Sequence, residues 1–357
     1  MPPSGLEWAT RRPRPRWTCR RRFGKSFFRT SGEVEAVAEG RGPSHWAANS
    51  RALRRELEGA VDRDLLRDLH RLSPFRHGAV ALGLTLAVVV TAALLSLSLP
   101  FWAWLPLSLL QGLFLFDFTI LLHEVLHHLV FPGKREGPTR LLAFLYALPS
   151  GISPSQFTRW HLDHHAGLGS PTEDPKRNRL SPKKNARWLK VLYFTPALFW
   201  IYFHAAAEET ATYEKALRRR ITIERLFALL VHAAAAGAIF LAGGFPLLLR
   251  LYLVPYLFGF PLAFGLNRLG QHYDIAPEDP ARWGTRMRPS RLWDAFFLWS
   301  SYHLEHHYFP GVPFYNLRRL NAALRPFFER RALPERSYGW LLWKYLAENR
   351  APHTRWT

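Results

Sequence analysis

The sequence predicts an all-α, polytopic membrane fold, with four transmembrane helices in two hairpins and a helical cap on the cytoplasmic side. Three observations predict it. Residues 79–99, AVALGLTLAVVVTAALLSLSL, run uncharged for the length that crosses a bilayer. Further apolar stretches at 101–122, 226–241 and 246–266 complete two pairs, each joined by a charge-free connection, SLPFWAW or GGFP, short enough to force a hairpin. Lys and Arg gather before the first pair, in 132–225 and after the second pair, segments that an even number of crossings leaves on one side. The positive-inside bias makes that side cytoplasmic, and both termini with it.

Taken in order, residues 1–50 are Arg/Pro-rich and aperiodic (RRPRPRW, CRRRF), with no apolar face to bury. They read as a disordered tail, or as the product of a mis-assigned start codon. No apolar core or cleavage site of a secretory signal occurs in them. Residues 51–77 carry Leu53, Leu57, Leu65, Leu66 and Leu69 at helical spacing among charges, an amphipathic helix for the membrane surface or for the roof of a site. The membrane domain then extends over 78–330, with a cytoplasmic tail at 331–357. Within its polar segment, LLAFLYALPSGI and WLKVLYFTPALFWIYF are too short or too mixed to span and read as re-entrant or interfacial. Arg250 interrupts the fourth span four residues beyond GGFP, near enough to the interface to snorkel. A soluble helical core is the rival fold, and the uncharged run at 79–99 counts against it.

A net charge of +21 ordinarily raises nucleic acid as a partner, but basic segments flanking apolar spans already have a cause in topology, so no nucleic-acid partner is expected. The one cysteine, Cys19, excludes a disulfide framework and thiolate metal sites. Any metal must be held by His, Asp, Glu or Asn.

Nine of the 16 histidines fall in three clusters: HEVLHH (His123, His127, His128), HLDHH (His161, His164, His165) and HLEHH (His303, His306, His307). Residues three and four apart share a helix face, so each cluster aims two or three imidazoles in one direction. A single cluster reads equally well as a solvated face with spare histidines. Three clusters at the same end of the predicted spans do not, and they exceed what one ion can use, which points to a dinuclear centre of Fe, Zn, Cu or Ni.

In order, spacing and position relative to the spans, HEVLHH, RWHLDHH and YHLEHHYFP resemble the three boxes of the integral-membrane fatty acid desaturases, the histidine-box di-iron oxygenases. The resemblance covers roughly residues 100–320. It implies two iron ions and dioxygen as co-substrate, with the ten histidines His123, His127, His128, His161, His164, His165, His272, His303, His306 and His307 as ligands. His272 enters through NRLGQHYD, where Asn267 is the candidate for a water-mediated contact. It also implies a lipid or acyl substrate, and an external electron donor with its reductase, since no HPGG haem motif is present. The donor is a ferredoxin, rubredoxin-like or haem carrier, and the basic cytoplasmic face suits an acidic one.

Asp163 and Glu305, inside their boxes, are candidates to orient imidazoles through the distal ring nitrogen, as are Glu173 and Asp174 in SPTEDPK. Asp117 lies within the second span, where an acid is costly. His204 and His232 read as structural. The expected activity is desaturation of a fatty acyl chain. A hydroxylase or carotenoid ketolase of the same superfamily is the alternative, and a membrane metal transporter is the rival from another class.

Overall fold

The computed structural model describes residues 43–133 and 135–351. The expected N-terminal tail lies outside the described residues up to residue 42, Cys19 with it, as do residues 352–357. Residues 44–50, assigned to the tail by composition, form the short helix α1 (His45–Asn49), capped by Ser44, with Trp46 buried against Trp283 at 5.7 Å between ring centroids. Apart from one β-bridge between Met287 and Arg336, the described residues are helical or irregular.

The leucine-bearing segment forms two helices, α2 (Arg51–Glu58) and α3 (Arg63–Leu69), because Asp62 starts a new one by accepting from the amides of Asp64 and Leu65. Leu53, Leu57, Leu66 and Leu69 are buried. Asn316 Nδ2 donates to the Leu69 carbonyl at 2.9 Å and Arg319 pairs with Asp68, so α3 lies over the helical cap.

Among the described residues, three helices are long and apolar enough to cross a membrane: α4 (Pro74–Leu95), α5 (Phe101–Leu126) and the run Lys215–His272. Leu82, Leu86, Val89 and Val90 of α4, and Leu226, Leu229 and Leu230 of the long run, are more than half exposed, apolar surface of a kind that a bilayer covers. By contrast α5 is central, and its second half is mostly buried.

The two apolar stretches expected at 226–241 and 246–266 share the run Lys215–His272, comprising α10 (Lys215–Leu248), a section of wider turns at 249–259, and α11 (Phe260–His272). Helical geometry breaks at Gly243 and Gly244. The latter, at φ 65 and ψ −164, occupies a region open to glycine and closed to residues with a Cβ. Beyond the break the chain folds back: His232 Nδ1 is 2.8 Å from the Tyr252 hydroxyl, whereas 20 residues of straight helix would separate them by about 30 Å.

Arg250, just past this turn, donates to the Leu97 carbonyl at 3.1 Å and lies over Trp104. Both tight turns therefore share one end of the bundle. His123 and His272 lie near the C-terminal ends of α5 and α11, at the other end.

There the cap is built from α6 (Glu136–Ala147), α7 (Pro154–Gly167), α8 (Arg187–Leu192), α9 (Ala197–Ala211), α12 (His303–Tyr308) and α13 (Phe314–Ala323). The two semi-apolar pieces lie in α6 and in α8 and α9. Glu224 of α10 fixes the start of α7, accepting from Ser153 Oγ at 2.5 Å and from the Ser155 amide and hydroxyl. A carboxylate at a helix N-terminus is favoured both by the free amides and by the helix dipole.

Candidate metal centre

Nine histidines meet at this end of the bundle, and they fall into two groups. His123, His127, His161, His165 and His306 form one, and His164, His272, His303 and His307 the other, with the ligand nitrogens of each group all within 4.8 Å of one another. Each group draws on three elements: α5, α7 and α12 for the first, and α7, α11 and α12 for the second.

Each box feeds both groups wherever its spacing allows. In HLDHH, His161 and His165 are one turn apart and enter the first group, while His164, a residue short of the turn, is directed to the second. In HLEHH, His303 and His307 join the second group and His306 the first.

The nitrogens face one another too closely for imidazoles alone. His272, His303 and His307 form a triangle of Nε2 atoms with sides of 2.9, 3.0 and 3.3 Å. A neutral Nε2 either donates or accepts, so among three in mutual contact at least two play the same role and repel. A cation at the centre removes the conflict. A nitrogen shell about 2.1 Å from an ion has neighbours about 3.0–3.4 Å apart, close to the spacing seen here and in the pairs His127–His161 (2.9 Å) and His165–His306 (3.2 Å). His123 Nε2 is buried without a partner, a further cost that a bound ion relieves.

Burial holds His127, His161, His165, His303, His306 and His307 well below the ordinary imidazole range, each also pushed down by its neighbours. Neutral imidazole is the metal-binding form. The distal nitrogens fix the tautomers. Trp283 O lies 2.9 Å from His272 Nδ1, and because a carbonyl can only accept, that nitrogen carries the proton and Nε2 keeps its lone pair.

Asp174 Oδ1 does the same for His164 Nδ1 at 2.8 Å, and it also accepts from the amides of Lys176 and Arg177. Burial penalises the Asp174 charge, but the His164 ring and the Arg177 amide outweigh it and keep this carboxyl below its usual range. Asp174→Asn is expected to weaken metal binding at the second group by about 10- to 100-fold, measured as metal retained during dialysis against a graded chelator. Unchanged retention would remove Asp174 from any orienting role.

Other residues singled out from the sequence are placed differently. His128 is exposed, one residue past the end of the α5 cap at φ 57, and belongs to neither group. Asp163 pairs with Arg159 at 2.8 Å, on the face of α7 away from the imidazoles. Glu305 accepts from Asn321 Nδ2 at 2.5 Å, tying α12 to α13, and burial pushes its carboxyl up to about 7. Asn267 donates to Ser300 Oγ and accepts from Gln271. Asp117 is buried in α5 with one oxygen unpartnered, and His232 bridges Leu148 O and the Tyr252 hydroxyl.

Two groups at the centre escaped sequence reasoning. Glu124 Oε2 accepts from the Phe314 amide at 2.9 Å and Oε1 lies 3.4 Å from His123 Nδ1. Lys176 Nζ lies 2.8 Å from His161 Nδ1, and burial followed by the charge of Arg268 draws its ammonium down to about 7. Neither bears a motif: Glu124 sits inside HEVLHH as an apparent spacer, and Lys176 is one basic residue among many.

A cavity of about 100 Å³ adjoins the histidines, lined by Thr119, Glu124, Lys176, Asn267, Arg268 and Ser300 among others. Next to it lies an apolar cavity of about 60 Å³ walled by Ile152, Leu198, Phe199, Phe203 and Phe260. Phe116, Phe157, Tyr202 and Phe264 line both.

Residues 96–339 match the sequence model of a protein family described as fatty acid desaturase. Among characterised proteins, the chain is 27% identical over 246 residues to the sphingolipid delta(4)-desaturase/C4-monooxygenase of Homo sapiens, covering 65% of this chain and 68% of that protein. It is 22% identical over 280 residues to the dihydrorhizobitoxine desaturase of Bradyrhizobium elkanii, covering 72% and 78%.

Proposed function

The chain belongs to the fatty acid desaturase family, and from that premise we propose that it is a dioxygen-dependent lipid desaturase that introduces a double bond into a fatty acyl chain at a histidine-ligated di-iron centre. One observation supports this above the others: two adjoining histidine groups, without a carboxylate ligand among the described residues, open beside an aromatic-walled cavity.

His123, His127, His161, His165 and His306 would hold one iron and His164, His272, His303 and His307 the other. When bound, the iron pair supplies the dioxygen activation and hydrogen abstraction that side chains cannot perform on an unactivated methylene. Overall, the substrate loses two hydrogens, and dioxygen with two electrons and two protons becomes two waters.

The chain's own residues position and exclude. Asp174 and Trp283 O hold His164 and His272 in the tautomer with Nε2 free. Phe116, Phe157 and Phe264 border both cavities and set which carbon faces the histidines. Asn267, engaged with Ser300 and Gln271, braces the cavity wall.

In this reading the run Lys215–His272 crosses the bilayer twice through the Gly243–Gly244 turn, making four crossings, and the basic segments put the centre on the cytoplasmic side. Electrons come from an external carrier.

A hydroxylase is the second reading, favoured by the human relative, whose name joins a desaturase to a monooxygenase. Expression in a host without its own desaturase, followed by mass spectrometry of total lipids and pigments, decides between them. New unsaturated acyl chains that vanish in His306→Ala are the expected result, and their head group identifies the carrier. Hydroxylated or keto products would move the assignment to the second reading. Unchanged lipids together with metal uptake into vesicles would overturn both.

A further inference from the structure

Arg268 lies on α11 one turn before His272, at i and i+4, so its side chain leaves the same helix face as a ligand of the second group. It is half-buried, and it lines both the cavity beside the histidines and a neighbouring one of about 80 Å³. Its guanidinium has no hydrogen-bond or ion-pair partner among the described residues. Guanidinium groups taken out of bulk water are ordinarily paired, since the unpaired charge is costly.

Two nearby carboxylates are each engaged elsewhere through one oxygen. Asp174, whose field Arg268 feels, spends Oδ1 on His164 and two backbone amides. Glu124, on the same cavity, is held by the Phe314 amide.

On the same cavity, Lys176 touches His161 of the first group. Arg268 and, when protonated, Lys176 thus flank the two histidine groups, and the groups contribute no negative charge of their own. Loading such a centre with divalent ions makes the cavity more positive still. An anion entering it meets attraction from both walls, in surroundings where screening by water is weak.

We propose that Arg268, with Lys176, binds a carboxylate of the substrate inside this cavity, so that the carbon oxidised lies only a few bonds from the anionic group. The planar fork of arginine suits a carboxylate, and a cavity of about 100 Å³ suits a small anion better than a bulky head group. The apolar remainder of the substrate extends toward the neighbouring aromatic cavity. This assignment rests on the metal-centre reading above and narrows its substrate class: an amphiphile desaturated near its acidic end, in contrast to a lipid reached at mid-chain with its head group outside.

The test is equilibrium dialysis of the full chain in nanodiscs, loaded with Co(II), against radiolabelled hexanoate and hexanol, with empty nanodiscs subtracted. Metal content is measured on each sample. Hexanoate is expected to bind at about one site per chain and at least tenfold more tightly than hexanol. Arg268→Gln is expected to erase that preference while two metals and the hexanol affinity remain, and Arg268→Lys to keep part of it. Equal binding of the two probes by metal-loaded protein, or a preference that survives in Arg268→Gln, would overturn the proposal and leave the metal centre standing. A chain that holds no metal under any loading would instead overturn the reading beneath it.

Discussion

Replacing His272 by alanine is expected to leave about one metal ion per chain in place of two and to abolish turnover. His272 is the hub of the second group: its Nε2 lies 3.1 Å from His164, 2.9 Å from His303 and 3.3 Å from His307, and Trp283 O fixes its proton on the far side. Removing it takes one of four donors from a site with no carboxylate ligand among the described residues, whereas the first group keeps all five.

Loss of a mere orienting contact already costs about 10- to 100-fold in metal affinity, so loss of a donor should cost more. Elemental analysis of purified protein gives the stoichiometry and mass spectrometry of lipids gives the activity. His128→Ala is the matched control and is expected to keep both metals, since that residue is exposed beyond the end of α5. If His272→Ala retained two ions, or if His128→Ala lost one, the division of the histidines into these groups would be wrong.

That control also marks where the sequence stopped being legible. The 3–4 spacing of HLDHH and HLEHH carries its imidazoles to one side whatever the tertiary structure, so those six residues were readable as a convergent set. The same periodicity argues against Asp163 and Glu305: each lies two positions past the first histidine of its box, about 200° around the helix, and each indeed meets a different partner, Arg159 or Asn321.

In HEVLHH the helix ends before the last histidine, and helix ends depend on packing that spacing does not encode. For Asp174, ten residues beyond His164, the contact exists only because the SPTEDPK loop returns to α7. Composition named it as a possibility and could go no further. Lys176 and Glu124 had no signal at all. Of the fold, the charge-free GGFP connection pointed correctly to a sharp return of the chain at Gly243–Gly244. The wider helical turns at 249–259 left no trace in hydropathy.

Those wider turns carry the second large expected effect, because Gly112→Val should destabilise the protein and empty both metal groups together. Gln111 Nε2 of α5 donates to the Leu251 carbonyl at 3.4 Å across the crossing. One turn away, Ser108 Oγ donates to the Arg250 carbonyl at 2.8 Å. These bonds require the two backbones to touch. They do so at Gly112, where a Cβ would meet Pro255 O at 2.3 Å and Gly259 Cα at 2.6 Å, and reciprocally at Gly259, where a Cβ would meet Leu109 O at 2.6 Å.

The obstacles are backbone atoms, which cannot rotate away, so a valine must push α5 and the 249–259 section apart by an ångström or more. Small residues at such crossings are how apolar helices pack where burial from water gives no driving force. Overpacking of this kind costs about 3 kcal/mol or more, a fall of roughly 10 °C in thermal midpoint.

The functional cost is larger than the stability cost. The helix α5 brings His123 and His127 to the first group, and α11, which continues from the 249–259 section, brings His272 to the second. Metal–ligand distances tolerate only about 0.2 Å. Displacing the crossing shifts both sets against α7 and α12. Gly83→Val is the control, since no atom lies within 4 Å of a Cβ built there. Thermal unfolding in detergent and metal content, taken on both variants, should separate them sharply. Equal midpoints and two ions in each would mean that the α5 crossing does not set the geometry of the centre.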